Sequence, residues 1–345
     1  MKIALLGFEQ AGKKTFFSLL TGRKIPESLR EGESLDGVAF IRDARVDKLS
    51  EICRPEKTKY AENLITLCSD IVEGAEKRKW LETARHCDLL CMVVRDFASD
   101  EVYHPAGAVD AIRDKANLES ELVLADLEMI ETRMQRIVKE KRAGQTTAQK
   151  MEEQVLDKIR ATLEKEMRPV PSALEEHELD AVKSLGFLSL KPLLWAFNVD
   201  EQRLAVKQDV QDGVFPVSCK IEQEIMALEN PVERAEYLSE LGLESSGLDT
   251  LNSAAYDALG LMSFYTVGKD EVRAWTVRKG SLAPHAASRV HSDIERGFIR
   301  VEIIKCDDLV SLGSESAVKA QGKTLLKGED YVIQDGDICH FLFNV

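Results

Sequence analysis

A chain of 345 residues with 44% hydrophobic and 31% charged residues has ordinary globular composition and suits two or three domains, which excludes a disordered chain. Its longest apolar runs are strand-sized, short of the roughly 20 residues of a spanning helix, and Met1-Lys2-Ile3 leads into a strand instead of a signal peptide. A cytoplasmic protein without a membrane partner is expected. The formal charge of −14 argues against coating nucleic acid by bulk electrostatics, because phosphate binding needs Lys and Arg to displace counterions, and seven cysteines without a CxxC pair read as buried free thiols.

Lys2 to Leu6 form a short apolar strand ending at Gly7, and Phe16, Phe17, Leu19 and Leu20 then follow a helical pattern. Further strands are predicted at Gly37 to Ile41, Leu64 to Ser69, Leu89 to Val94, Leu193 to Phe197 and Val214 to Val217. Strands alternating with helices imply an α/β, mostly parallel, doubly wound sheet. Between the fourth and fifth strands lies a polar insertion. There Val123, Leu127, Ile130, Met134 and Ile137 recur at spacings of four and three, and Met151, Val155, Ile159, Leu163 and Met167 at four. Two helices turning near Gly144 and stopped by Pro169 and Pro171 make an inserted, coiled-coil-like helical hairpin, either a spacer or a partner-binding arm. From Met262 the pattern changes to short β-runs, Val272 to Val277, Phe298 to Ile304, Tyr331 to Ile333 and Cys339 to Phe343, with one helix at about Ala283 to Glu295. That texture predicts a compact β-grasp. The expected domains are residues 1–115 with 169–261, the hairpin 116–168 and the β-grasp 262–345.

Gly7-Phe8-Glu9-Gln10-Ala11-Gly12-Lys13 fills the GxxxxGK part of a P-loop between a strand and a helix, the context that gives the pattern its meaning. Its glycines let successive N–H groups, Gln10 and Ala11 included, face phosphate oxygens, while Lys13 supplies a point charge. The next position ordinarily carries the hydroxyl that ligates Mg²⁺. Here it is Lys14, with Thr15 one place late. An ammonium has no lone pair for a metal, so Lys14 either points into solvent or neutralises phosphate itself. The third strand ends on Asp70.

Together with Glu271-Val272-Arg273-Ala274-Trp275-Thr276, Glu295-Arg296-Gly297-Phe298-Ile299-Arg300 and Gln334-Asp335-Gly336-Asp337, these residues resemble the YchF/Obg-like ATPase family. The resemblance is densest in the last 80 or so residues, which look like that family's TGS domain, and extends more weakly along nearly the whole chain. It implies a P-loop nucleotide-binding protein that prefers ATP and ADP, with GTP possible, and that works with a ribosome or another RNA-containing assembly. Asn198-Val199-Asp200-Glu201 matches the family's NxxE, which replaces the guanine-reading NKxD, and Ser218-Cys219-Lys220 looks like the companion loop beside the base. NxxE alone is common at strand ends; its place before the Ser218 loop makes it a base-pocket motif. His104 matches a histidine that the family places near the catalytic region, against the alternative of a lone surface histidine. Asp70 keeps the family's carboxylate that holds Mg²⁺ through water.

Departures from the family bear on catalysis. The switch I threonine aligns with Glu31, and after Asp70 the sequence Ile71-Val72-Glu73-Gly74-Ala75 replaces a longer glycine-rich switch II. Phosphoryl transfer depends on positioning and metal charge, so hydrolysis is expected to be weak or impaired while nucleotide binding survives. Alternatives are an active ATPase whose Mg²⁺ is held through Thr15 or Asp70, and a scaffold acting without nucleotide through its TGS domain and helical arm. Lys14 and Glu31 are expected to form an ion pair where other P-loop proteins share a metal. The protein is expected to be a monomer.

Overall fold

The computed structural model describes every residue except 31, 75–77, 141–145, 170–173, 205–212, 229 and 345. In chain order the elements are β1 (Lys2–Leu6), α1 (Lys13–Thr21), β2 (Leu35–Ile41), α2 (Ala44–Cys53), β3 (Lys57–Lys59), β4 (Ala61–Leu67), α3 (Leu81–Arg85), β5 (Leu89–Asp96), α4 (Ala111–Glu140), α5 (Thr147–Glu166), α6 (Glu176–Val182), β6 (Leu193–Val199), α7 (Glu201–Leu204), β7 (Val214–Val217), α8 (Cys219–Ala227), α9 (Pro231–Glu240) and α10 (Gly247–Ala258). Then follow β8 (Leu261–Val267), β9 (Glu271–Arg278), α11 (Ala283–Val290), α12 (Ser292–Arg296), β10 (Phe298–Lys305), α13 (Cys306–Leu312), α14 (Glu315–Ala320), β11 (Leu325–Lys327) and β12 (Asp337–Phe343). These fall into two compact units, one of residues 1–38 and 64–251, the other of residues 39–63 and 252–345.

The first unit is built on a sheet of order β2-β4-β1-β5-β6-β7. β1 pairs in parallel with β4 and β5, β5 with β6, and β6 with β7. Such strands are covered on both faces, which is why Leu89 to Val94 is an unbroken apolar run and is buried throughout. Because β4 and β5 lie on opposite sides of β1, the carboxyl end of β1 is the point at which successive crossovers diverge, the place where open α/β sheets bind ligands.

The inserted helices are longer at their start than the sequence pattern indicates, with α4 beginning at Ala111. The heptad positions Val123, Ile130 and Ile137 join Val155, Ile159 and Leu163 in one buried cluster, with Leu127, Met134 and Met151 at its margin. Met167 ends the row exposed, in the left-handed region at φ 54° that closes α5. The turn expected at Gly144 and the stop expected at Pro171 lie outside the described residues. Asp126, fully buried on α4, accepts hydrogen bonds from the Leu188 and Ser189 amides (3.1 and 2.8 Å) and from Arg85 (3.2 Å), which pins the helix to its own unit.

The second unit has a sheet of order β11-β10-β12-β8-β9-β3. One face packs Phe264, Val301, Ile303 and Phe341 against Ala283, Ala286 and Ala287 of α11. The other packs Tyr265, Val272, Ala274 and Ile338 against Val46 and Leu49 of α2 and Leu309 of α13. β3 runs parallel to β9, Thr58 opposite Val272, and forms the sheet's edge. Residues 57–59 therefore complete a sheet whose other strands begin at Leu261. Two sequence expectations are corrected here. Tyr331 to Ile333 forms no strand, and Val332 makes only an isolated bridge to Leu282. The helix expected over Ala283 to Glu295 is broken at His291, whose extended backbone and Nδ1, accepting from the Asp293 amide at 3.1 Å, start α12 afresh.

Candidate functional site

The loop between β1 and α1 has a backbone that only a few residue types tolerate. Gly7 has φ 151° and a Cβ there would stand 2.3 Å from the Val93 carbonyl oxygen; Gln10 and Gly12 have φ 60° and 96°. Ala11 is buried, and Gly12 leads into α1 in the left-handed region. Neither a side-chain cap nor an acidic first-turn residue occupies the start of α1. Its amides and dipole are therefore left for an anion.

Lys13 is the charged centre of the loop and is 4% exposed. Its ammonium donates to the carbonyls of Gly7 (2.9 Å) and Phe8 (2.8 Å) and forms an ion pair with Asp70. Burial lowers its pKa and the Asp70 carboxylate works against that shift. Lys14 is exposed and Thr15 is half-buried. Glu31, the partner expected for Lys14, lies outside the described residues. Among the described residues no group of three or more His, Cys, Asp or Glu side chains is arranged to hold a metal.

Asn198, at the end of β6, is 4% exposed and its amide is used twice. Nδ2 donates to the Ala11 carbonyl (3.2 Å) and Oδ1 accepts from the Cys219 amide (3.2 Å). The phosphate loop and the loop before α8 are thus clasped by one side chain. Beyond it opens a cleft of about 550 Å³ whose walls include Phe97, Ala98, Val199, Glu201, Ser218 and Lys220. Val199 and Ser218 are buried while Glu201 and Lys220 are exposed, so the latter two can meet a ligand edge without losing a buried partner. Ser218 also caps α8, and burial pushes the Cys219 thiol far up, which keeps it a thiol.

His104 is placed otherwise than a lone surface residue. It is 8% exposed, its Nδ1 accepts from the Ala106 amide (3.1 Å) and its Nε2 faces Asp114 Oδ2 (2.9 Å). With Nδ1 an acceptor, the proton of the neutral ring sits on Nε2 and is donated to Asp114. Arg113 holds the other Asp114 oxygen. Both nitrogens are thereby engaged in folding the loop after β5.

Sequence reasoning missed the residue that shapes that loop. Arg95, buried at the end of β5, donates to the carbonyls of Phe97 (3.3 Å), Val102 (2.9 Å) and Tyr103 (3.1 Å), and its guanidinium lies 4.5 Å from the Phe97 ring centroid. It turns the chain back and sets Phe97 as a wall of the cleft. The available signal was an arginine closing an apolar run, since a buried guanidinium must find acceptors. Asp96, beside it, pairs with Arg203 of α7.

Over its full length the chain is 36% identical to the "Ribosome-binding ATPase YchF" of Haemophilus influenzae, covering 99% of that protein, and 36% identical to the protein of the same name in Bacillus subtilis across 99% of this chain and 98% of that one. The chain belongs to the YchF family. The family model YchF-GTPase C, described as "Protein of unknown function (DUF933)", matches residues 261–344. A solved structure, "Structure of the Schizosaccharomyces pombe YchF GTPase", superposes with a TM-score of 0.84 at 29% identity, covering 99% of this chain and 97% of that one. The mixed α/β architecture with two sheets is therefore that of YchF proteins. Membership also gives the P-loop pattern a family context.

Proposed function

We propose that this YchF family member binds an adenine nucleotide, hydrolyses it weakly at most, and, like its relatives named ribosome-binding ATPases, acts with the ribosome. The observation that carries nucleotide binding is the convergence of the uncapped α1 start, Lys13 and the Asn198-clasped cleft on one end of the sheet. The amides of residues 10–13 and the Lys13 ammonium would take phosphate oxygens. Phe97 and Val199 would flank a base, and Glu201 would meet its edge. A carboxylate at Glu201 can accept from adenine's exocyclic amine; what disfavours guanine is that Asn198-Val199-Asp200-Glu201 lacks the lysine and the shorter aspartate of the guanine-reading NKxD. A bound nucleotide supplies the phosphoanhydride; the chain's part is to bind, orient and neutralise it.

The donors on the metal side fit Mg²⁺ poorly. Lys14 stands where a hydroxyl is needed, and the Asp70 carboxylate is engaged with Lys13. Metal charge is a large part of the stabilisation of a phosphoryl-transfer transition state, so turnover should be slow even where binding is firm. Titration with N-methylanthraniloyl-ATP, with and without EDTA and with unlabelled ATP and GTP as competitors, tests the nucleotide site, and phosphate release from ATP measures the turnover. Binding should be barely changed by EDTA, and ATP should displace the probe better than GTP. Equal displacement by GTP removes the adenine preference, and no binding removes the nucleotide site. The ribosome association is tested by cosedimentation with ribosomal subunits, with and without ATP.

A further inference from the structure

We infer that Glu121, on the long helix α4, sets how firmly Asp70 holds Lys13 and thereby how readily the phosphate loop accepts an anion. The inference rests on the nucleotide site proposed above. An ammonium has three protons, and those of Lys13 face three acceptors, the Gly7 and Phe8 carbonyls and the Asp70 carboxylate. A phosphate oxygen entering the loop must take one of these donors. Asp70 is the acceptor most affected, because it alone of the three carries a negative charge for the incoming anion to repel.

Asp70 is not free to withdraw. Directly after it, Ile71 donates its amide to the Gly7 carbonyl (3.0 Å) and bridges to Phe8, which zips the chain onto the phosphate loop. Further along the same stretch of chain, Gly74 is gripped by the Glu121 carboxylate, which also holds Arg78. Oε1 accepts from the Gly74 amide (3.0 Å) and Oε2 from Arg78 Nε (3.0 Å). Side-chain exposure is only 4% for Glu121 and 9% for Arg78, and Arg78 reaches on to Glu128 (2.7 Å) two turns further along α4. Removing Arg78 would leave the buried Glu121 charge without its cation, so the pair is a firm tether.

Glu121 is thus a positioning residue that acts on the phosphate site through residues 70–74 without touching it. Linkage makes the effect reciprocal. Whatever loosens Asp70 raises affinity for phosphate, and phosphate at Lys13 loosens the grip of Asp70 and with it the attachment of the segment to α4. α4 is the helix that carries the inserted hairpin, so occupancy of the phosphate loop is communicated to that hairpin through one carboxylate.

The test is titration of the full chain with N-methylanthraniloyl-ATP in EDTA, for the wild type, Asp70→Asn, Glu121→Gln, Arg78→Gln and the Asp70→Asn/Glu121→Gln double variant. Asp70→Asn should tighten binding by about 5-fold or more, in the usual range of site-to-site coupling, with Glu121→Gln and Arg78→Gln acting in the same direction. The double variant should bind no tighter than Asp70→Asn alone, and competition by adenosine, which lacks phosphate, should be the same for all. A purely structural role gives the opposite result, with Glu121→Gln weakening binding and its effect adding to that of Asp70→Asn; that outcome, or affinities within about 2-fold of wild type, overturns the inference. If circular dichroism shows Glu121→Gln unfolded, Arg78→Gln carries the same comparison. Binding by the wild type with unresponsive variants overturns this inference alone, whereas no binding by the wild type overturns the nucleotide site with it.

Discussion

A Cβ placed on Gly12 would stand 2.4 Å from Nδ2 of Asn198. The glycine that opens α1 is therefore required twice, by its left-handed backbone and by the asparagine that clasps the loop from β6. Gly12→Ala should abolish labelled-ATP binding. It should also lower the melting temperature, since a left-handed non-glycine residue alone costs roughly 1–2 kcal/mol and Asn198 cannot retreat without giving up Ala11 and Cys219.

Asn198 and Glu201 belong to one tetrapeptide but should fail differently when replaced. Asn198→Ala leaves the Cys219 amide without its acceptor in a buried place, which costs about 1–3 kcal/mol. It should weaken ATP and GTP alike and lower the melting temperature. Glu201→Ala removes an exposed side chain, so the melt should stay put while the ratio of ATP to GTP affinity falls. Paired competition titrations and thermal melts separate the two, and a Glu201 variant with an unchanged ratio removes that residue from base recognition.

Acid should act on the second unit through Asp43. Burial pushes its carboxyl pKa up, but hydrogen bonds from Arg45 and from the Tyr265 hydroxyl (2.5 Å) outweigh it and the net shift is downward. A depressed folded pKa means stability that is fully present above the unfolded value, about 3.9, and lost as pH falls through the folded one. Asp43→Asn should be less stable than wild type at pH 7 by about 1.5–3 kcal/mol, the usual cost of a charged hydrogen bond. That gap should close as melts are repeated at progressively lower pH below 4; a constant gap would show that Asp43 does not titrate with folding.

The helical insertion allows a matched comparison. Ile159 is fully buried between α4 and α5, whereas Val138, one residue beyond the heptad position Ile137, is 58% exposed. Ile159→Ala should cost about 2–5 kcal/mol by leaving a cavity. Val138→Ala should stay within about 0.5 kcal/mol. Denaturant melts followed by helical circular dichroism decide it, and equal losses would mean that the periodicity does not define the packed face.

How much of this was legible in the sequence depended on whether the signal was local. The phosphate loop was readable because its seven residues are contiguous and flanked by an apolar strand and a helix. Leu89 to Val94 was readable because a two-faced buried strand is apolar throughout. β3 was not, since Lys57, Thr58 and Lys59 are all exposed and carry no alternation; only the edge of β9 makes them a strand. Tyr331 to Ile333 was misread for the converse reason, β-type composition without a partner strand. At the site, the Lys13–Asp70 pair joins residues 57 positions apart and the clasp of Asn198 on Ala11 joins residues 187 apart. Neither leaves any mark on spacing. Arg95 did leave one, as a charge closing an apolar run.

The seating of β3 beside β9 also has a consequence for the time course of folding. Residues 39–63 emerge early in synthesis, yet their hydrogen-bonding edge and the apolar face that receives α2 are made from residues that follow Asn252. Arg45 must wait for Asp335, 290 positions later. Closing so long a loop comes at an entropic cost before any contact repays it, so this stretch stays unfinished while most of the chain is being made. During that interval Val46, Leu49 and Ala61 lack the partners that bury them, which leaves apolar surface exposed until the carboxyl-terminal residues arrive. A truncation that removes the last strands should therefore disable a stretch near the amino terminus as surely as a lesion within it.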